Sequence, residues 1–407
     1  MADSRVFVVV GGGLAGAKAV EALRAQGFDG SVELFGAEPH LPYERPPLSK
    51  AYLKTGEDLA GAFVHTRAWY AEQRIGLHLG TRVTGVDRME HTVETEAGER
   101  VRYDRLLLAT GSSPRQLHLP GAELDGVLYL RTIEDSDRLR SAFRPGARVV
   151  FVGGGWIGLE TASAAVEAGA SVTVLETLEL PLVRVLGPRI AQVFADLHRE
   201  RGVDLRTSVE VAGIEGEHGR VQAVRLGDGS VIPAESVVVG IGAIPNIELA
   251  EAAGLTIDNG VVVDAQGRTS DPDVFAAGDL ANHLLPFLGK HIRVEHWATA
   301  LHQPAAVASG MLDQADVYDA LPYFYTDQYD LGMEYVGLGG PDDDVVVRGD
   351  LGAREFIALW LRDGRVVAGM NVNTWDVVDD ISAVIRSGRA VDAERLADPT
   401  VPLSDFA

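Results

Sequence analysis

A strand, a glycine loop and a helix follow one another twice in this chain, and this repeat limits the fold more than any other feature. The first copy begins with the short β-branched run Val6–Val10 and passes through Gly11-x-Gly13-x-x-Gly16. It continues into Ala17–Gln26, where Val20 and Leu23 have helical spacing, and ends in a second strand, Ser31–Phe35. The second copy has a strand at Val149–Val152, the loop Gly153-x-Gly155-x-x-Gly158, a helix over Leu159–Ala168 and a strand at Ser171–Leu175. In each loop the first glycine allows a tight turn, the second lets a pyrophosphate reach the backbone, and the third lets helix and strand pack closely. The helix N-terminus then faces the phosphates with the positive end of its dipole. A duplicated βαβ unit of this type predicts an α/β protein with two dinucleotide-binding domains.

The remaining chain supports a two-part or three-part organisation. A β-rich stretch after the first copy ends in Leu106–Gly111, and Val237–Gly242 and Val274–Asp279 follow the second. From Tyr323 the texture changes to strand-like alternation at Glu334–Leu338, Val345–Arg348 and Phe356–Arg362, with an Asp363-Gly364 turn and a helix over Val377–Ser387. This tail reads as a separate α+β domain. The chain has no cysteine, which excludes a dithiol redox centre, thiolate metal ligation and disulfides. A net charge of −23 argues against a nucleic-acid partner. No apolar run is long enough to span a membrane, and the first residues lack the basic start and cleavage site of a signal peptide. The expected setting is therefore the cytoplasm, with no membrane partner.

Further motifs carry a family resemblance. Leu41-Pro42-Tyr43-Glu44-Arg45-Pro46-Pro47-Leu48-Ser49-Lys50, Ala109-Thr110-Gly111, Thr269–Asp279 and Glu295-His296-Trp297 resemble segments of the oxygenase-coupled ferredoxin reductases. That group includes rubredoxin and putidaredoxin reductases and apoptosis-inducing factor. The resemblance runs from Val8 to about Gly337 and implies a glutathione-reductase-like architecture. Expected boundaries are 1–115 and 245–322 for an FAD domain, 116–244 for an inserted NAD domain, and 323–407 for a C-terminal domain.

The resemblance also implies site residues. Gly11, Gly13, Ala15 and Gly16 would hold FAD, with Val83, Ala109, Thr110 and Gly111. Asp279 would accept hydrogen bonds from ribityl hydroxyls, and Arg45 and Arg131 would contact the cofactor. Glu295 and His296 would present backbone groups to the flavin's pyrimidine edge, with Trp297 opening the helix beneath it. The acidic residue that usually closes the second strand is replaced by Gly36, so Glu38 is the candidate for the FAD ribose. Gly153, Gly155, Ile157, Gly158 and Gly242 would hold the nicotinamide nucleotide. Glu176 closes that unit's second strand, where a carboxylate grips the ribose 2′-hydroxyl and repels a 2′-phosphate. NADH is therefore expected over NADPH, with Arg184 and Arg189 as nearby counter-indications.

Lys50 and Glu160 are implied to meet as an ion pair beside flavin N5, placing the nicotinamide and tuning the flavin rather than serving as an obligatory acid and base. Lysine is scarce here, occurring at Lys18, Lys50, Lys54 and Lys290, and a compact ammonium suits a point contact. Tyr325 stands in the flavin-covering segment where the family more often has Trp. The implied activity is NADH-dependent reduction of a ferredoxin that serves a monooxygenase or a ring-hydroxylating dioxygenase, by a monomer or weak homodimer. A rubredoxin reductase, a quinone or dye reductase, and a redox-sensing flavoprotein like apoptosis-inducing factor stay open as alternatives.

Overall fold

The computed structural model describes residues 3–56 and 59–407; Met1, Ala2, Glu57 and Asp58, all inside the first expected domain, lie outside the described residues. The elements that build the first half are β1 (Val6–Val10), α1 (Leu14–Ala25), β2 (Ser31–Gly36), β3 (Ile75–Leu79), β4 (Arg105–Leu108), β5 (Val127–Leu128) and α2 (Ile133–Ala142). Then come β6 (Arg148–Val152), α3 (Trp156–Glu167), β7 (Ser171–Leu175), α4 (Val183–Glu200), β8 (Asp204–Arg206), β9 (Ser236–Val239), β10 (Val274–Ala276) and α5 (Trp297–Met311). The tail contributes β11 (Tyr323–Gln328), β12 (Leu331–Gly337), β13 (Asp344–Asp350), β14 (Glu355–Arg362), β15 (Arg365–Val372) and α6 (Val378–Ser387).

The duplication read from the glycine loops reappears in strand order. One five-stranded sheet runs β10-β4-β1-β2-β3 and the other β8-β7-β6-β9-β5. All neighbours in both are parallel. β1 thus corresponds to β6, β2 to β7, β3 to β8 and β4 to β9. The outer strand differs: β10 comes late in the chain, whereas β5 precedes its unit.

Each sheet is covered on both faces. Phe7 and Val9 join one apolar cluster with Val20 and Leu23, while Val8 and Val10 join another with Tyr103 and Leu280. Val149 and Phe151 likewise part from Val150 and Val152. Two-sided burial is why these strands read as continuous apolar runs rather than alternations.

The helices begin earlier than the apolar spacing suggests. α1 starts at Leu14 with Gly13 as its N-cap, and α3 starts at Trp156 with Gly155 as its N-cap. The third glycine of each loop therefore lies on the first helical turn. A Cβ on Gly16 would stand 2.0 Å from Gly11 O, and one on Gly158 would stand 2.4 Å from Gly153 O. This close approach outweighs the roughly 1 kcal/mol helix penalty of glycine.

The chain divides into two compact units. One holds residues up to Arg45, Leu59–Ser113 and Ile244–Pro322; the other holds the segment opening at Pro46, Pro114–Ala243 and Tyr323–Ala407. Two features differ from the expected boundaries. The tail forms an antiparallel sheet, β11-β12-β15-β14-β13, but shares one apolar core with the second nucleotide unit. Phe151, Leu159, Phe194, Met333, Phe356 and Trp360 belong to a single buried cluster. The segment after Pro46 also joins this second unit: Leu53 enters the same cluster, Ser136 Oγ donates to Leu48 O at 2.8 Å, and Tyr52 Oη donates to Asp137 Oδ1 at 2.7 Å. Among the described residues, no helix is long and apolar enough to cross a membrane.

Two fully buried histidines make stability depend on pH. His198 on α4 and His283, in the first unit, are 0% and 2% exposed, and burial pushes both imidazoles down to about 4. Neither ring nitrogen of His283 has a hydrogen-bond partner among the described residues. An unfolded histidine takes up a proton near pH 6.5 while the folded one resists until about 4. Stability is thus intact above about 6.5 and declines as pH falls toward 4, by about 3 kcal/mol per histidine. Thermal unfolding between pH 7 and 5 should show a falling Tm in the wild type and a shallower fall in His283→Phe. Equal slopes would show that His283 does not contribute.

Candidate active site

The first loop, in the first unit, is closed on two sides and open on one. Gly11 has φ +130°, and a Cβ there would meet Ala109 O at 2.0 Å, whereas a Cβ on Gly13 would meet nothing within 4 Å. Gly13 gives α1 no side-chain cap, so the first N–H groups of the helix remain available to an anion. Around this loop, Ala15 faces Gly278, whose Cβ would lie 3.1 Å from that of Ala15. Thr110 and Asn246 exchange two hydrogen bonds, Thr110 Oγ1 to Asn246 O at 2.7 Å and Asn246 Nδ2 to Thr110 O at 2.8 Å. These hold the turn before Gly111 (φ +69°).

The expected FAD contacts have internal partners. Glu38 Oε1 accepts from Arg45 at 2.7 Å and Glu38 Oε2 from the Tyr43 hydroxyl at 2.6 Å. Arg45 also lies over the Tyr43 ring. Glu38 and Arg45 are therefore one preformed group, and an ionised carboxylate with two bonds keeps capacity to accept more. Asp279 Oδ2 accepts from Ser112 Oγ at 2.7 Å. Glu295 pairs with Arg293, His296 is the N-cap of α5, and Trp297 Nε1 donates to Glu44 Oε2 at 2.9 Å. Val83 is buried in an apolar cluster with Phe35, so only its main chain can serve a ligand. Arg131 lies in the other unit, where its N–H donates to Asp135 Oδ2 at 3.0 Å beside the N-cap of α2.

The second loop repeats this geometry. Gly153 has φ +101°, and the nearest atom to a Cβ on Gly155 would be Gly240 O at 3.6 Å. α3 also starts without a side-chain cap. Ile157, one residue into the helix, is 48% exposed, an apolar surface at the loop. Gly242 has φ +104° and open space where a Cβ would stand. Glu176 is tied to the loop itself: Oε2 accepts from Gly154 N at 2.8 Å and Oε1 from Leu178 N at 2.9 Å. Its carboxylate is thereby aimed before any ligand arrives. Arg184 is exposed and makes no ion pair among the described residues, while Arg189 donates to Val345 O at 3.3 Å.

The densest polar cluster surrounds Glu160. This residue is 3% exposed and follows Trp156, the first residue of α3, by a full turn. Dipole complementation therefore does not explain it, since that effect fades past the first turn. Lys50 Nζ lies 2.7 Å from Glu160 Oε1, Ser49 Oγ donates to Oε2 at 2.6 Å, and Thr326 Oγ1 donates to Oε1. Lys50 Nζ also sits 5.1 Å from the centre of the Tyr325 ring. A carboxylate this buried would be costly without its counter-charge and donors. Ser49, Thr326, Tyr43, Glu44, Ser112 and Arg293 are the partners that sequence reasoning missed. Three of them, Tyr43, Glu44 and Ser49, lie inside the segment Leu41–Lys50 quoted above, so their neighbours in sequence were the available signal.

Residues 5–304 match the family described as pyridine nucleotide-disulphide oxidoreductase, and residues 323–407 match the one described as reductase C-terminal. The chain belongs to the pyridine nucleotide-disulphide oxidoreductase family. This oxidoreductase is 42% identical over 405 residues to the ferredoxin–NAD(+) reductase component of the anthranilate 1,2-dioxygenase system of Burkholderia cepacia, covering 98% of each chain. It is 38% identical over 404 residues to putidaredoxin reductase of Pseudomonas putida, covering 98% of this chain and 96% of that one. Among solved structures it matches the covalent putidaredoxin reductase–putidaredoxin complex with a TM-score of 0.95 at 38% identity, covering 99% of this chain and 98% of the other. The family implies a flavin and NAD(P). The two loops fit such groups, because each leaves an uncapped helix N-terminus and an open face at its middle glycine. Without cysteine, this oxidoreductase has no disulphide of its own to reduce.

Proposed function

We propose that this oxidoreductase takes reducing equivalents from NADH through a bound FAD to a small iron–sulfur protein, a ferredoxin serving a monooxygenase or a ring-hydroxylating dioxygenase, in the cytoplasm. The observation that carries this reading is the near end-to-end match to a ferredoxin–NAD(+) reductase component, at 98% of both chains. The lack of any cysteine, which removes the dithiol alternatives, supports it.

FAD is assigned to the unit with Gly11–Gly16 and NADH to the unit with Gly153–Gly158. A bound FAD would supply acceptance of a hydride from reduced nicotinamide and release of single electrons. The chain's own residues bind and orient. The N-termini of α1 and α3 receive the two pyrophosphates, Glu38 and Glu176 take ribose hydroxyls, and Asp279 takes ribityl hydroxyls. The main chain at Glu295 and His296 serves the pyrimidine edge, with Trp297 opening the helix behind it. Lys50, held by Glu160 and covered by Tyr325, supplies a fixed positive charge for hydride transfer.

The purified protein should be yellow, with one non-covalent FAD per chain, and should oxidise NADH rapidly when a cognate ferredoxin and cytochrome c are supplied. Steady-state assays across a panel of ferredoxins and rubredoxins test this. Slow oxidation with every member of the panel would overturn the ferredoxin assignment, and failure to bind flavin on reconstitution would overturn the function as a whole.

A further inference from the structure

Beyond Lys50 and Glu160, a line of buried polar side chains leads away from the pair into an otherwise apolar core. Thr326 and Gln328 are two residues apart on β11, on one face of the strand, and are 1% and 0% exposed; His198 on α4 is also 0% exposed. Around them the same core holds Leu159, Phe194, Leu197, Leu331 and Met333. Apolar residues at 326 and 328 would suit such a core better unless the polar groups have work to do.

The hydrogen bonds form one unbroken series. His198 Nε2 lies 2.9 Å from Gln328 Oε1, Gln328 Nε2 lies 3.3 Å from Thr326 Oγ1, and Thr326 Oγ1 reaches Glu160 Oε1. Behind the imidazole, the Tyr329 hydroxyl is 3.3 Å from His198 Nδ1. The carboxylate at the end can only accept, and this sets every proton in the series. Thr326 must give its single proton to Glu160, so it accepts from the amide nitrogen of Gln328. The amide oxygen then faces His198, which donates from Nε2 and accepts from Tyr329 at Nδ1. Burial holds that imidazole neutral, with a pKa near 4, so it carries the single N–H that the series requires. Reversing any one member would set two donors or two acceptors against each other.

We propose that Thr326 and Gln328, backed by His198, are positioning residues that hold the Glu160 carboxylate in the orientation that meets Lys50. The proposal rests on the reading that the Lys50–Glu160 pair assists reduction of the flavin. Thr326 and Ser49 grip one oxygen each, which stops the carboxylate turning about its last bond while Lys50 shares Oε1 with Thr326. Gln328 keeps the threonine proton directed at Glu160 rather than at a backbone carbonyl.

The test is stopped-flow reduction of the holoenzyme by NADH, with thermal unfolding as a readout independent of turnover. Thr326→Val, which keeps shape and removes the donor, should slow flavin reduction about tenfold, the effect of losing one charge-assisted bond. The NADH concentration at half-saturation should stay within about twofold, because the ligand's own contacts are untouched. Thr326→Ser should restore the rate. Gln328→Leu should slow reduction in the same direction by a smaller factor. In a Glu160→Gln background, Thr326→Val should add little further loss of rate or of Tm, since its partner carboxylate is gone. Additive losses in both readouts, or no rescue by serine, would overturn the proposal. Were Glu160→Gln alone to leave reduction unchanged, the reading of the pair itself would fall. Were Glu160→Gln to slow reduction while Thr326→Val and Gln328→Leu do not, only the positioning role would fall.

Discussion

Lys50→Ala is expected to slow reduction of the bound flavin by NADH about a hundredfold, the scale of a small misplacement in a reacting pair, and to leave the FAD content of the purified protein unchanged. Among the described residues, the lysine makes the single charged contact to a carboxylate that is 3% exposed. It lies in a segment whose fold is set elsewhere, by Leu53 in the core and by the bonds of Leu48 and Tyr52, so the loop survives the substitution. Removing the cation alone also leaves Glu160 buried with only hydroxyl donors, which costs about 3 kcal/mol of stability and lowers Tm. The double variant Lys50→Met with Glu160→Gln removes both charges and should recover the Tm while the reduction rate stays low. This contrast separates the two roles. Stopped-flow traces in which the double variant regains its rate along with its stability would mean the pair is structural only.

Glu176→Arg is expected to reverse the nucleotide preference. The wild type is expected to favour NADH over NADPH by at least tenfold in kcat/KM, because a charge-assisted bond to a ribose hydroxyl contributes about 1.5–3 kcal/mol and a like-charged 2′-phosphate is repelled. The carboxylate is aimed in advance by Gly154 N and Leu178 N, so little ordering cost is left when the nucleotide binds. Glu176→Ala should erode the preference mainly by raising KM for NADH, with a modest loss of stability from the two backbone donors it frees. The arginine variant offers a guanidinium that can pair with the phosphate and should prefer NADPH. Steady-state kinetics with both nucleotides decide the matter. A wild type that uses NADPH equally well would point to the exposed Arg184 as the phosphate's partner.

Much of the architecture could be read from the chain because its determinants are local. The spacing of Gly11, Gly13 and Gly16, and of Gly153, Gly155 and Gly158, answers steric demands within a few residues. The backbone must turn at φ +130° and +101°, and the helix must start against the strand. Two-sided burial writes itself into Val6–Val10 and Arg148–Val152 as apolar runs. The parallel sheets and both nucleotide units follow from those signals. Glu176, one residue past the end of β7, lies beside the loop and accepts from Gly154 N.

What the tertiary structure alone decided lies where residues meet across long stretches of chain. Lys50 and Glu160 are 110 residues apart, Thr326 is 166 from Glu160, and Gln328 is 130 from His198. No periodicity spans such distances. The apolar core decides them, because Leu53, Leu159, Phe194 and Met333 have to be buried together. That shared burial draws the segment after Pro46 and the C-terminal sheet into the second nucleotide unit, against the boundaries expected from sequence. By contrast, Glu38 meets Tyr43 and Arg45 within seven residues of chain. Sequence motifs named Lys50 and Glu160 but not the other donors, and only a common core could bring those donors to the buried carboxylate in number enough to hold its charge.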